Sequence, residues 1–217
     1  MVPTITAFKW VPEFARGFVR DIRPRWAFEE AGQSYAVDLV DRDYIKSATH
    51  RRFQPFGQIP TYRDHKVEIF ESGAIVLHIC RTHGVLVPAD PAAHMRAVQW
   101  LIAALNSVEP WVMQLAVVDV FEADRDWSKA RRGKVIEDLD VRLGDLSTAL
   151  NGKPTLDGGE FTFGDLMMVS VLGGLRRTGV LDRHPDLAGY VARGEARPAH
   201  RKAMADHLAV FGAAATA

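Results

Sequence analysis

Two short runs in this chain combine residue types that could grip a small peptide. Phe53-Gln54-Pro55-Phe56-Gly57-Gln58-Ile59-Pro60 is punctuated by prolines and a glycine, and after a charged turn comes Glu71-Ser72-Gly73-Ala74. In the first run, an Ile-Pro bond in a loop entering a strand is a candidate for the cis form. That would leave the Ile59 N–H and C=O unpaired and open to strand-like pairing with a bound peptide. In the second run, Ser72 stands where an N-cap should stand, ahead of Ile75, Val76, Ile79 and Cys80 on one helical face. The free amides of such a helix start, with the serine hydroxyl, attract a carboxylate. Taken singly, Pro60 reads as a turn proline and Ser72 as an ordinary cap.

Gln54-Pro55-Phe56-Gly57-Gln58-Ile59-Pro60 followed by Glu71-Ser72-Gly73-Ala74-Ile75 resembles the glutathione transferase signature, an Asn/Gln-Pro-x-Gly-Gln-Val/Ile-Pro loop and then Glu-Ser-x-Ala-Ile. The resemblance implies glutathione as cosubstrate, with Gln58, Ile59, Pro60, Glu71 and Ser72 as its binding residues. The residue before the proline pairs with the cysteinyl part, and Ser72, with Glu71 beside it, receives the γ-glutamyl end.

Glutathione attacks an electrophile as the thiolate, whereas a free thiol with a pKa near 8.5 is mostly protonated at neutral pH. Lowering that value by two units takes about 2.7 kcal/mol of preferential thiolate stabilisation. In the family the donor is usually a Tyr or Ser hydroxyl, or a Cys meets the thiol, between the first strand and the first helix. Here the segment from Trp10 to Asp21 contains no Tyr, Ser, Thr or Cys. Arg25-Trp26-Ala27-Phe28-Glu29-Glu30-Ala31-Gly32 resembles the end of the family's first helix, and counting back places the activating position near Gly17, Phe18 or Val19. The expected catalytic groups are therefore backbone amides near Phe18 and the charge of Arg16 or Arg20. Lys9 reads as pointing outward from its strand.

The elements that must carry these residues follow from pattern. Thr4 to Trp10 reads as a strand, and Arg16 to Ala31 as a helix stopped by Gly32. Pro24 allows two readings: Asp21 caps the helix with Pro24 in its first turn, or the helix starts earlier and kinks. Tyr35 to Val40 reads as a strand, Asp43 to Arg52 as a loop or short helix, and Thr61 to Phe70 as a hairpin about Asp64-His65. The order β-α-β, loop or helix, β-β-α matches the thioredoxin-like domain that the resemblance implies.

The expected division is a thioredoxin-like glutathione-binding domain over 1–84, a linker over 85–91, and an all-α bundle over 92–217, an α/β plus all-α fold. His94 to Phe121 and Val135 to Leu150 read as amphipathic helices. Thr162 with Asp165 approximates a capping box, with Phe161 and Leu166 at the staple positions. This too resembles the family, whose buried Ser/Thr-x-x-Asp cap serves folding rather than chemistry. Short helices follow Pro185 and Pro198, and the alanine-rich end is expected to fray.

Composition narrows the function further. Lys plus Arg and Asp plus Glu each number 27, a net charge of +0, which gives no global electrostatic case for nucleic acid or anionic lipid. Neither a signal peptide nor a run of 18 apolar residues is visible, so the reading is cytoplasmic with no membrane partner. The single cysteine, Cys80, excludes an internal disulfide and reads as core packing, and the scattered histidines predict no metal. Two functions stay open. One is conjugation of the glutathione thiolate to a small apolar electrophile, held in a cleft near Trp100, Trp111 and Trp127. The other is non-catalytic binding of glutathione or a hydrophobic ligand. The family resemblance implies a homodimer in either case.

Overall fold

The computed structural model describes residues 2–213. The chain divides into two units, Met1–Val87 with Ala196–Ala217, and Pro88–Glu195. The first is built on a four-stranded sheet in the order β2-β1-β3-β4. β1 (Thr4–Phe8) runs parallel to β2 (Ala36–Val40) and antiparallel to β3 (Thr61–Arg63), and β3 pairs antiparallel with β4 (Glu68–Phe70). The crossover from β1 to β2 is α1 (Ile22–Ala31), a short α2 (Ala48–Arg51) precedes β3, and α3 (Ser72–His83) follows β4. This is the thioredoxin-like arrangement, with the hairpin closed by Asp64, whose Oδ1 accepts from the Lys66 and Val67 amides.

Helix boundaries differ from expectation where polar side chains have other work. The first helix begins at Ile22 rather than Arg16, which puts Pro24 in its first turn, where a missing N–H costs nothing. Asp21 precedes it but makes no cap bond. Gly32 and Gly84, at φ +60° and +67°, end α1 and α3 in the left-handed conformation. Ser72 is the first residue of α3 rather than its cap; the cap position belongs to Glu71, which makes no side-chain cap bond.

α1 is enclosed over its first seven residues, Ile22 to Phe28, although two of them are arginines. One side packs on α3 and another on α9 (Pro198–Ala213). The contact with α9 is specific: Arg197 donates to both Glu30 carboxylate oxygens at 2.6 and 2.7 Å, and Trp26 meets the His200 ring edge-on. The chain's last helix therefore belongs with the first unit, whereas the pattern alone assigned all of 92–217 to the helical block. The alanine-rich end at 214–217 lies outside the described residues.

The second unit is helical: α4 (Pro91–Ala103), α5 (Glu109–Ala116), α6 (Asp126–Leu150), α7 (Phe163–Leu172) and α8 (Pro185–Glu195). Where a single helix over His94–Phe121 was expected, α4 and α5 are separated and followed by π-helical turns at Ala104–Val108 and Val117–Phe121. Pro91–Phe121 is long and apolar enough to cross a membrane by length and composition alone, but α4 packs on α7 within its unit. At the head of α7, Thr162 Oγ1 accepts from the Gly164 and Asp165 amides. Asp165 accepts from the Thr162 amide and hydroxyl, the Leu156 amide and the Tyr190 hydroxyl. Tyr190 is fully buried, and burial first and then the Asp165 carboxylate hold its hydroxyl well above its ordinary pKa, which keeps it a donor.

Candidate functional site

The loop between α2 and β3 is braced from beneath by side chains. His50 Nε2 bonds the Gln58 carbonyl at 2.8 Å, and the buried Gln54 accepts from the Gln58 amide at 3.1 Å. Gly57 stands at φ +64°, and a Cβ there would lie 3.0 Å from both the Ile45 carbonyl and the Arg51 guanidinium, so glycine is required. The Ile59-Pro60 bond is cis. Neither the amide nor the carbonyl of Ile59 has a hydrogen-bond partner among the described residues. The Ile59 side chain is buried while its main chain stays able to pair, which is what an edge for strand addition requires.

Glu71 lies between β4 and α3 at φ +70°, a conformation that side chains other than glycine rarely adopt, at a cost of about 1–3 kcal/mol. Its side chain is exposed and its carbonyl takes the first bond of the helix, from the Ile75 amide at 2.9 Å. The preceding amides, of Ser72, Gly73 and Ala74, have no acceptor among the described residues. Ser72 Oγ accepts from Arg23 Nη1 at 3.0 Å, in the first turn of α1. Both side chains are 4% exposed, so two helix starts and a buried guanidinium meet at one hydroxyl. An oxygen that accepts from an arginine keeps its own O–H to give, and a carboxylate is the natural recipient. Arg23 has no special signature in the sequence; it lies within a run that reads as an ordinary amphipathic helix.

Before α1 the chain makes a compact turn. Phe18 does not offer a free amide, because its N–H donates to the Ala15 carbonyl at 3.0 Å. The neighbouring Val19 amide has no partner among the described residues. Arg16 lays its guanidinium over the Phe211 ring, 5.7 Å from the centroid, and its Nε is buried without a hydrogen bond. Arg20 is half-buried on the same turn. Lys9 pairs with Asp41 at 2.9 Å and points to solvent. A buried network ties the turn down: Gly17 N–H donates to His207 Nε2 at 3.2 Å, His207 Nδ1 meets Asp21 Oδ2 at 3.1 Å, and Arg25 Nε meets the same oxygen at 2.8 Å. His207 lies 190 positions from Gly17, and nothing local in the sequence signals it.

Cys80 takes no part. It is fully buried, and burial with the Glu30 charge pushes its thiol up to about 12. No group of three or more His, Cys, Asp and Glu side chains among the described residues is placed to hold a metal ion. The cavity against the sheet, lined by Thr4, Thr6, Tyr44, His50 and Thr61 among others, has a volume of about 50 Å³ and includes none of the site residues.

With this geometry in hand, comparison with known proteins is specific. The family model "Glutathione S-transferase, N-terminal domain" matches residues 14–81. Glutathione S-transferase P of Pongo abelii is 25% identical over 178 residues, covering 80% of this chain and 81% of its own. Glutathione S-transferase APIC of Nicotiana tabacum is 26% identical over 181 residues, covering 77% and 83%. A glutathione transferase family member from Pseudomonas fluorescens, solved with two glutathione molecules bound, has the same fold, with a TM-score of 0.82 at 20% identity over 94% of this chain and 92% of that one. The loop around Pro60, the strained acid before α3 and the serine at its start all fall inside the segment 14–81 that matches the glutathione S-transferase N-terminal domain model, and the chain is similar to glutathione S-transferases over that segment and in its fold.

Proposed function

We propose that the chain binds glutathione in its first unit and transfers the thiolate to a small apolar electrophile. The observation that carries this reading is the unpaired Ile59 main chain beside Pro60, in the same unit as a helix start whose serine is already bonded to a buried arginine. Ile59 pairs with the cysteinyl residue, Gln58 flanks it, and Ser72 with the α3 amides takes the γ-glutamyl carboxylate. Glu71, whose exposed carboxylate has no partner among the described residues, faces the γ-glutamyl ammonium.

Thiol activation falls to the turn before α1. The Val19 amide donates to the sulfur, and Arg16 and Arg20 supply positive charge, a preorganised donor set in place of the family's hydroxyl. With an aryl halide the sulfur forms the new S–C bond, halide leaves with the bonding pair, and the thiol proton has already gone to solvent. Cytoplasmic residence, read from the sequence, and a homodimer, from family likeness, belong to the same proposal.

Calorimetry with glutathione at millimolar concentration, followed by turnover of a chromogenic aryl halide, tests the reading; absence of heat would end it. A second reading, a ligand carrier of the same fold, is favoured by one observation: no hydroxyl or thiol side chain stands between Trp10 and Asp21. Binding without turnover across several electrophile classes would select it.

A further inference from the structure

We infer that His207, on α9, is the positioning residue that holds the thiolate-stabilising turn in shape; the inference rests on the glutathione reading above. One imidazole touches both ends of the turn. Its Nε2 accepts the Gly17 amide at 3.2 Å, and its Nδ1 reaches Asp21 Oδ2 at 3.1 Å. Between these points lie Phe18, Val19 and Arg20, where a thiolate donor set would have to be. An imidazole that accepts at Nε2 carries its proton on Nδ1, so the neutral tautomer donates to Asp21 while receiving from Gly17. Asp21 is held in turn by Arg25 Nε at 2.8 Å, and His207, Asp21 and Arg25 are 1%, 1% and 3% exposed.

The geometry explains why the clamp is needed. Gly17 is at φ +83°, a conformation no local helix or strand enforces, and its amide bonds none of the turn's own carbonyls. An external acceptor fixes that amide, which fixes the peptide planes that follow it. The Met204 sulfur lies 3.4 Å from where a Gly17 Cβ would be, and the Phe211 ring packs edge-on against His207 at 5.0 Å, so α9 encloses the turn from its side. His207 touches no substrate. It acts through the backbone, and the last helix thereby completes a site whose other members lie in the first third of the chain.

The test compares the full-length parent with His207→Phe, His207→Asn and His207→Gln. Gln places an oxygen near the Nε2 position and can accept from Gly17; Asn reaches only the Nδ1 position and can serve Asp21 alone; Phe serves neither. For each protein, calorimetry gives the glutathione affinity and the ultraviolet absorbance of the bound thiolate against pH gives its pKa. Turnover of an aryl halide separates kcat from KM. We expect a lowered thiol pKa in the parent. In the Phe and Asn variants the thiolate fraction at neutral pH and kcat both fall about tenfold, equivalent to one pKa unit, with glutathione affinity within about twofold, and Gln restores both. If His207→Phe does not fold, the Asn and Gln pair decides alone. An unchanged thiol pKa in Asn, or failure of Gln to restore it, overturns the clamp. A parent that binds glutathione with an ordinary thiol pKa also overturns it while leaving binding intact. A parent that binds no glutathione overturns the functional reading, and the clamp falls with it.

Discussion

Arg23 Nη1 donates to Ser72 Oγ at 3.0 Å, and through that bond the first turn of α1 is joined to the first turn of α3 inside the sheet unit. In the proposed site this leaves the Ser72 hydroxyl accepting from the guanidinium with its own proton to donate. Ser72→Ala should weaken glutathione binding by about tenfold to a hundredfold, the range for one hydrogen bond to a charged group. Arg23→Met should weaken it as well, because it removes both the orienting bond and a buried positive charge. A double-mutant cycle in glutathione affinity checks the linkage. Additive losses would mean that the two residues act separately.

Asp165→Ala should cost about 3 kcal/mol of stability, more than the 1 kcal/mol or so of an ordinary cap. The excess arises because the truncation strands the Leu156 and Thr162 amides in a fully buried place and leaves the Tyr190 hydroxyl only the longer bond to the Asp165 carbonyl at 3.4 Å. Chemical denaturation of the parent and variant measures it. A loss below 1 kcal/mol would show that water or a rearranged loop satisfies those donors. Tyr190→Phe should cost less, since it removes a donor and leaves Asp165 with three others.

The local parts of this architecture were legible because their signals are local. The alternating strands, the glycine stop at Gly32, the hairpin at Asp64 and the box at Thr162 and Asp165 each depend on residues a few positions apart. The Ile59 and Ser72 pair is singled out by the resemblance of its loop and helix start to the glutathione transferase signature. What escaped was every contact that closes at long range. Ser72 was read as a cap because serine caps helices, but its hydroxyl is claimed by Arg23. Asp21 stands at a cap position and is claimed instead by His207 and Arg25. α1 reads as an ordinary amphipathic helix; its arginines are buried because α3 and α9 cover it, with Glu30 tied to Arg197 just before α9. No periodicity within ten residues can announce a partner that far along the chain.

The hairpin turn carries a pH signature of its own. Burial raises the Asp64 carboxyl, but the Lys66 and Val67 amides and the Tyr62 hydroxyl outweigh it and hold the group at about 2, against an ordinary 3.8. A carboxylate depressed by folding stabilises the protein fully above its unfolded value and loses that contribution as pH falls from 3.8 toward 2. Asp64→Asn keeps an oxygen for the two amides but cannot titrate. The difference in thermal midpoint between parent and Asp64→Asn should therefore be constant above pH 4 and shrink in more acid solution. A difference that stays constant down to pH 2 would mean that the turn is insensitive to this charge.

The charge on the turn before α1, proposed above to activate the thiol, can be tested apart from its backbone. Arg16 is partly committed, with its guanidinium over Phe211 and its Nε buried and unbonded, whereas Arg20 sits within the clamped turn itself. If the cations stabilise the thiolate by field rather than by direct bonds, Arg16→Ala and Arg20→Ala should each raise the bound thiol pKa by about half a unit to one unit, and added salt should reduce the effect of each substitution. Lysine at either position should restore most of the loss, since charge and not fork geometry is what the sulfur needs. The double alanine variant should still bind glutathione through Ile59 and Ser72. If it also conjugates an aryl halide at the parent rate with an unshifted thiol, the arginines are surface charges and activation belongs to the Val19 amide and its neighbours alone.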